Sequence, residues 1–378
     1  MRPKSICIIY NTMWAVKNFR LNLIRHLICK GYSVFAIAPY DSAETALQEN
    51  GVKTLNIRMK GNSKNPVSDL ILFVMLFIKL KHLHPGCVLN YTIKPNIYAS
   101  IACSLLRIPY INNITGLGAV FQGNNLLTHA VSLLYRIALK RSLTVFFQNN
   151  DDLAQLLSKR IVCKQISLRL PGSGVNLDQF SPSLPIKNEH FTFLLFTRIL
   201  WEKGIREYHE AAKKVYSRFP NTRFLLVGSI DPLNPSCVPR DTIQQWSESG
   251  IITYLGPTDS IREYIRKSDC IVLPSYYREG VPRSLLESAA MAKPIITTDW
   301  PGCRDAVDDN VTGFLCRIRD PQDLSEKMLK MISMPAKERE TMGMAGRNKM
   351  EREFDEKIVI NAYSDVIQSV FKHKQGGQ

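Results

Sequence analysis

The chain has 378 residues, 45% hydrophobic and 22% charged, which is an ordinary globular composition long enough for two domains and excludes a disordered protein. Its formal net charge is +16, and residues 1–185 hold 21 Lys and Arg against 7 Asp and Glu, a net of +14. The first half is therefore expected to face something anionic, nucleic acid or a membrane surface, with simple solubility as the bland alternative.

In chain order, Met1–Lys4 leads straight into the strand-like run "SICIIY" (5–10), so no signal peptide is expected. "YSVFAIAP" (32–39) is the second such run. The longest apolar run, "LILFVMLFI" (70–78), is far short of the roughly 20 residues that span a bilayer. Followed by "KLKHLHP", it reads as an amphipathic helix with a basic end. It is either a core helix or one that dips its apolar face into a membrane interface. "CVLNYT" (87–92), "YINNIT" (110–115) and "TVFFQN" (144–149) complete the strand runs of the first half. "FSPSLPIKNEH" (180–190), rich in Pro, Ser and polar residues, marks a domain boundary.

The second half repeats the alternation with "FTFLLFTR" (191–198), "TRFLLVGS" (222–229), "IITYLG" (251–256), "CIVLPS" (270–275) and "KPIITTD" (293–299). All these runs are continuous rather than alternating in polarity, as for strands buried on both faces of parallel sheets. The expected fold class is α/β: two doubly wound Rossmann-like domains, residues 1–182 and 188–355, facing across a cleft. Nine scattered cysteines without a C-x-x-C pair argue against disulfides or zinc and are expected to be buried in a reducing compartment.

In such sheets ligands bind at the carboxyl ends of the strands. Arg198 and Lys203 bracket the loop after 191–198, and a guanidinium fork with an ammonium can grip a diphosphate. Glu279 lies in the loop after 270–275. Gly280 and Val281 then lead to a helix opening at Pro282, whose free N–H groups suit a phosphate. Glu287 follows about one turn into that helix, roughly 6 Å along. Singly, these residues read as a surface loop residue, a helix-start charge and a solvated pair of cations. Together, on carboxyl-end loops of one parallel sheet, they point to a ligand that carries a diphosphate and to stabilisation of that diphosphate as it departs.

"EGVPRSLLE" (279–287) resembles the E-x7-E element of retaining glycosyltransferases of the GT-B fold, in the large family 4. "FTRILWEKGIREYHEA" resembles that family's R-x4-KG segment, and "LPGSGVNLDQFSP" the usual end of its first domain. The resemblance covers nearly the whole chain. Within the family, "YTIKPNIYASIACSLLRIPYINNITGLGAVF" (91–121) is similar to acceptor-side loops of bacterial enzymes that add an N-acetylhexosamine to a polyprenyl-diphosphate-linked sugar.

The resemblance implies that Arg198 and Lys203 hold the donor diphosphate of a UDP-sugar. It implies that Glu279 binds the donor sugar, that Gly280 and Val281 offer backbone N–H groups, and that Glu287 binds the ribose. On the acceptor side it points to Lys94 for the acceptor diphosphate and to Thr115, Gly116 and Gly118 for close approach to a sugar, although an ordinary tight turn explains "TGLG" equally well. No D-x-D triplet occurs, so no metal or other cofactor is expected. The chain departs from the family in "YNTMWAVKNFR" (10–20), where many members have a glycine-rich loop; a bulkier or acceptor-tuned loop is expected there.

The expected function is transfer of GalNAc or GlcNAc from a UDP-sugar to an undecaprenyl-diphosphate-linked sugar in bacterial surface polysaccharide assembly. The enzyme would sit in the bacterial cytoplasm, attached peripherally to the cytoplasmic face of the inner membrane. The basic first domain would face anionic lipid, with Leu72, Phe73 and Leu76 as its contacts, and residues 356–378 would form a helix packing back on it. A nucleotide-sugar 2-epimerase of the same fold is the alternative. A nucleic-acid-binding protein is disfavoured, because no recognisable motif interleaves aromatics with the basic residues.

Overall fold

A computed structural model describes residues 4–59, 65–118, 121, 126–183 and 189–372. The expected loop residues 119–120, the middle of the 180–190 boundary and the terminal "HKQGGQ" lie outside it. The chain forms two compact units, Met1–Ser173 with Lys357–Gln378, and Gly174–Glu356.

The first unit is built on seven strands: β1 (Ser5–Ile9), β2 (Ser33–Ala38), β3 (Lys53–Asn56), β4 (Cys87–Tyr91), β5 (Tyr110–Ile114), β6 (Thr144–Phe147) and β7 (Ser167–Arg169). They pair in parallel in the order β3-β2-β1-β4-β5-β6-β7, so the direction of winding switches between β1 and β4. The second unit has six: β8 (Phe191–Phe196), β9 (Thr222–Val227), β10 (Thr253–Tyr254), β11 (Cys270–Leu273), β12 (Ile295–Thr298) and β13 (Gly313–Cys316). Their order is β10-β9-β8-β11-β12-β13, again all parallel, with the switch between β8 and β11.

All ten sequence runs are strands. The three the run criterion misses, β3, β7 and β13, are four residues or shorter and each closes an edge of its sheet. An edge strand has a neighbour on one side only and does not need a long apolar run.

The boundary between units falls earlier than the Pro- and Ser-rich stretch. Val175 donates its N–H to the Phe354 carbonyl at 2.8 Å, and Val175 and Phe180 pack in the second unit's core. Residues 174–182 thus belong to the second unit. The polar stretch begins only after the chain has already crossed. At the other end, the helix Glu356–Lys372 buries Val359, Tyr363 and Ile367, one every turn, in the core of the first unit.

The glycine-free segment 10–20 is only briefly a loop. Thr12 caps the helix Met13–Cys29, its Oγ1 accepting the Ala15 N–H at 3.0 Å, so most of "YNTMWAVKNFR" is helix. A turn this short needs no residue at positive φ, which is why it can do without glycine.

The apolar run lies in the helix Pro66–Leu83, capped by Asn65 with Pro66 at its start. Leu72, Leu76 and Leu80 are buried against the sheet. Leu72 and Leu76 are thus core residues, not membrane contacts, and serine there would unfold the unit. Of the nine cysteines six are buried, while Cys29 and Cys163 are exposed and Cys237 is half-buried, all with free thiols. Among the described residues no helix is long and apolar enough to cross a membrane.

Candidate functional site

The switch in winding between β8 and β11 opens a crevice at their carboxyl ends, and the expected residues stand on the two loops that flank it. After β8 the chain makes a single 3₁₀ turn, Trp201–Lys203, ended by Gly204. A Cβ on Gly204 would lie 2.2 Å from the Pro274 carbonyl oxygen, so only glycine lets this loop rest on the end of β11. The Glu202 carbonyl then accepts hydrogen bonds from the Tyr276 N–H (2.9 Å), the Tyr277 N–H (3.1 Å) and Ser275 Oγ (3.3 Å). One carbonyl joins the two loops.

That joint brings Lys203 to Glu279. Lys203 Nζ lies 2.5 and 2.6 Å from the two carboxylate oxygens, and the side chains are only 5% and 19% exposed. Ser275 Oγ, its single proton shared with the Glu202 carbonyl, lies 3.2 Å from Oε1, and the Tyr277 ring centre lies 5.5 Å from Nζ. Lys203 thus neutralises Glu279, a pairing the sequence reading did not anticipate for a phosphate-gripping lysine. The ion pair holds the carboxylate oriented, as an acceptor for hydroxyls.

Arg198, in contrast, is exposed and has no carboxylate partner among the described residues. Burial raises the Tyr277 hydroxyl's pKa, and the Arg198 charge partly offsets this.

Gly280 and Val281 are buried, and Pro282 caps the helix Arg283–Ala290. Glu287 lies one turn in, 9% exposed, with its carboxylate 2.6 Å from Arg283 Nε. Burial pushes the Glu287 carboxyl above its ordinary value, and Arg283 partly offsets this. A carboxyl raised by folding contributes its full stability below the ordinary carboxylate range, and that contribution is lost as pH rises through its folded value. Thermal melts of wild type and Glu287→Gln across pH 4 to 8 are expected to diverge, the wild type losing ground as pH rises. A constant difference would contradict the assignment.

Gly302, in the loop after β12, has φ +85°, and a Cβ there would sit 1.7 Å from the Gly280 carbonyl oxygen. Nothing in the sequence singled it out. Beside it, burial first and the Glu279 charge second push the Cys303 thiol up to about 12, which leaves no nucleophilic thiolate at this site.

The first unit gives its expected residues other occupations. Lys94 Nζ is 2.7 Å from Asp69 Oδ1, and the Tyr98 hydroxyl donates to Asp69 Oδ2 at 2.9 Å. The Lys94 charge is therefore matched inside the protein. At the switch between β1 and β4 the Tyr10 and Tyr91 rings stack 5.0 Å apart. The buried Arg20 guanidinium lies 4.4 Å over Tyr91, without a carboxylate partner among the described residues.

After β5, Thr115 is half-buried, and Gly116 and Gly118 adopt φ of +122° and +61°. The Leu117 N–H between them donates to the buried Asp152 carboxylate at 3.2 Å. "TGLG" is thus a turn pinned from the helix Asn150–Ser158, and Asp152 is a residue the sequence reading passed over. Asp152→Ala is expected to destabilise the first unit by about 1–3 kcal/mol in urea denaturation; an unchanged midpoint would show that the pin is dispensable.

With this geometry in place, comparison with known proteins is informative. Residues 177–349 match the family model described as glycosyl transferases group 1, and residues 5–149 the one described as glycosyl transferase 4-like. The chain is 28% identical over 376 residues to the N,N'-diacetylbacillosaminyl-diphospho-undecaprenol alpha-1,3-N-acetylgalactosaminyltransferase of Campylobacter jejuni, covering 95% of this chain and 97% of that protein. A glycosyltransferase crystal structure from Rickettsia africae superposes with a TM-score of 0.80 at 19% identity, over 99% of this chain and 100% of that one. Anabaena Alr3699/HepE, solved in complex with UDP and glucose, gives 0.77 at 13% identity, over 97% and 99%.

Proposed function

The chain belongs to the glycosyltransferases, group 1 in its second unit and 4-like in its first, with the GT-B fold, and from that premise we propose the reaction it performs. It moves an N-acetylhexosamine, GalNAc or GlcNAc, from a UDP-sugar to an undecaprenyl-diphosphate-linked sugar. The observation that carries this reading is the Lys203–Glu279 pair at the crevice between β8 and β11, with exposed Arg198 on the same loop as Lys203. The named substrates of the Campylobacter relative, which the chain matches along almost its whole length, support the choice of acceptor.

In this reading Glu279 accepts hydrogen bonds from the donor sugar hydroxyls. Arg198 takes the donor diphosphate, with Lys203 supplying positive charge behind the carboxylate. The N–H groups at Gly280 and Val281 meet the same diphosphate, and Glu287 the ribose. The donor's anomeric configuration is retained by front-face attack, the leaving phosphate oxygen taking the acceptor proton, and no metal takes part. Arg198 and the helix N-terminus supply the positive charge that steadies the departing UDP. The enzyme works at the cytoplasmic face of the membrane that holds its acceptor, attached peripherally.

The test is incubation with a panel of UDP-sugars and synthetic polyprenyl-diphosphate-linked sugars in EDTA, for wild type and Glu279→Ala. One donor transferred with retention by the wild type alone supports the reading. A UDP-sugar epimerised without any acceptor would instead establish the 2-epimerase alternative.

A further inference from the structure

Two helices of the first unit carry apolar stripes on the wrong side. In Pro66–Leu83 the buried stripe of Leu72, Leu76 and Leu80 has a second stripe behind it. Val67, Leu70, Ile71, Val74 and Ile78 are all 45–64% exposed and follow i, i+3, i+4, i+7, i+11 spacing. In Leu126–Leu139, Leu126, Leu133 and Ile137 are exposed at i, i+7 and i+11, while Tyr135, Ala138 and Leu139 face inward. The short helix Ser100–Leu106 packs against both, and its Leu105 is 64% exposed. Single exposed aliphatics are normal on a protein surface, but helix-periodic stripes on packed neighbours are not.

The charge around this face is one-sided. Residues 70–150 contain seven Lys and Arg and not one Asp or Glu. Lys81, Arg107, Arg136, Lys140 and Arg141 are exposed at or just beyond the carboxyl ends of the three helices. The Arg141 guanidinium reaches Ser104 Oγ, tying two of those ends together. The first unit as a whole holds 24 Lys and Arg against 7 Asp and Glu, while the second holds 25 against 26. The excess charge of the molecule thus sits on the unit with the apolar stripes.

We propose that the outer faces of Pro66–Leu83 and Leu126–Leu139, with Leu105 between them, form one surface that lies in the interface of an anionic lipid bilayer. Aliphatic side chains enter the headgroup boundary while the cations at the helix ends meet lipid phosphates. A second copy of the chain fits poorly, because two such faces would bring like charge together. Nucleic acid fits poorly too, because aliphatics rather than stacking rings fill the middle of the face, and its cations stand only at the helix ends. The proposal deepens the reading of the acceptor as lipid-linked and takes its purpose, but not its physical grounds, from it.

The test is co-sedimentation of the full chain with phosphatidylcholine vesicles, with and without about 30 mol% phosphatidylglycerol. The variants are Leu70→Gln/Val74→Gln/Ile78→Gln, Leu126→Gln/Leu133→Gln/Ile137→Gln, and Leu233→Gln on the second unit as control. Wild type and control are expected on anionic vesicles, weakening with salt, and each triple variant to bind ~tenfold less tightly or worse at an unchanged melting temperature. Triple variants that bind like wild type would overturn the proposal. So would a wild-type dimer that the same substitutions dissociate. Transfer assayed in parallel with a short-chain, water-soluble acceptor separates the two readings. If vesicle binding responds as expected but no sugar is transferred, the reaction fails and the surface stands.

Discussion

Lys203→Met is expected to cut transfer by ~10³-fold or more and to destabilise the second unit by about 3–5 kcal/mol, because it leaves a mostly buried carboxylate without its cation. Methionine keeps the apolar stem of Lys203, so packing changes little and the loss is electrostatic. Glu279, 19% exposed, would lose the ammonium group that contacts both its carboxylate oxygens. The double variant Lys203→Met/Glu279→Gln removes the stranded charge. It should recover much of the stability in urea unfolding while remaining inactive. If the double variant were no more stable than the single one, the ion pair would not be what holds the two loops together. If Lys203→Met alone kept its turnover, the assignment of the site would be wrong.

Gly302→Ala is expected to be nearly as damaging from outside the substrate contacts. The new methyl group would have to occupy space 1.7 Å from the Gly280 carbonyl oxygen and 2.8 Å from that of Glu279. Relief requires moving the segment that aims Glu279, and a displacement of about 1 Å there costs on the order of 10²-fold in rate. Gly250→Ala is the control: its φ of +74° is similar to the +85° of Gly302, but nothing lies within 4 Å of the added Cβ. Both variants bear the backbone strain, and only Gly302→Ala bears the collision. Comparable activities for the two would show that the approach of Gly302 to Gly280 is not needed for catalysis.

Much of this was legible in the sequence for a physical reason. A strand covered on both faces must be apolar throughout, so β1, β2, β4 to β6 and most of the second sheet stand out as unbroken runs. The loops after β8 and β11 follow from the strands, and with them Arg198, Lys203 and Glu279.

What was not legible depends on distance along the chain. Lys203 and Glu279 are 76 residues apart, and no local pattern says that they meet. Lys94 looked like a charge in waiting until Asp69, 25 residues earlier, proved to hold it. The need for glycine at 302 is set by a carbonyl that belongs to residue 280. The run 70–78 was plainly apolar, but a run apolar all round does not announce which side faces the sheet. For that reason Leu72 and Leu76 were first assigned outward and Leu70 and Val74 were not.

The helix Glu356–Lys372 has a consequence for biosynthesis. A ribosome synthesises Met1–Ser173 first, yet that unit's core lacks Val359, Tyr363 and Ile367 until the whole of Gly174–Glu356 has been read. Throughout the translation of Gly174–Glu356 the nascent first unit holds an open apolar trough, and the second unit can close before it. Chains cut short before residue 359 should therefore be caught by chaperones or proteases rather than accumulate. Residues 1–173 expressed alone should aggregate unless a peptide spanning 356–372 is supplied in trans.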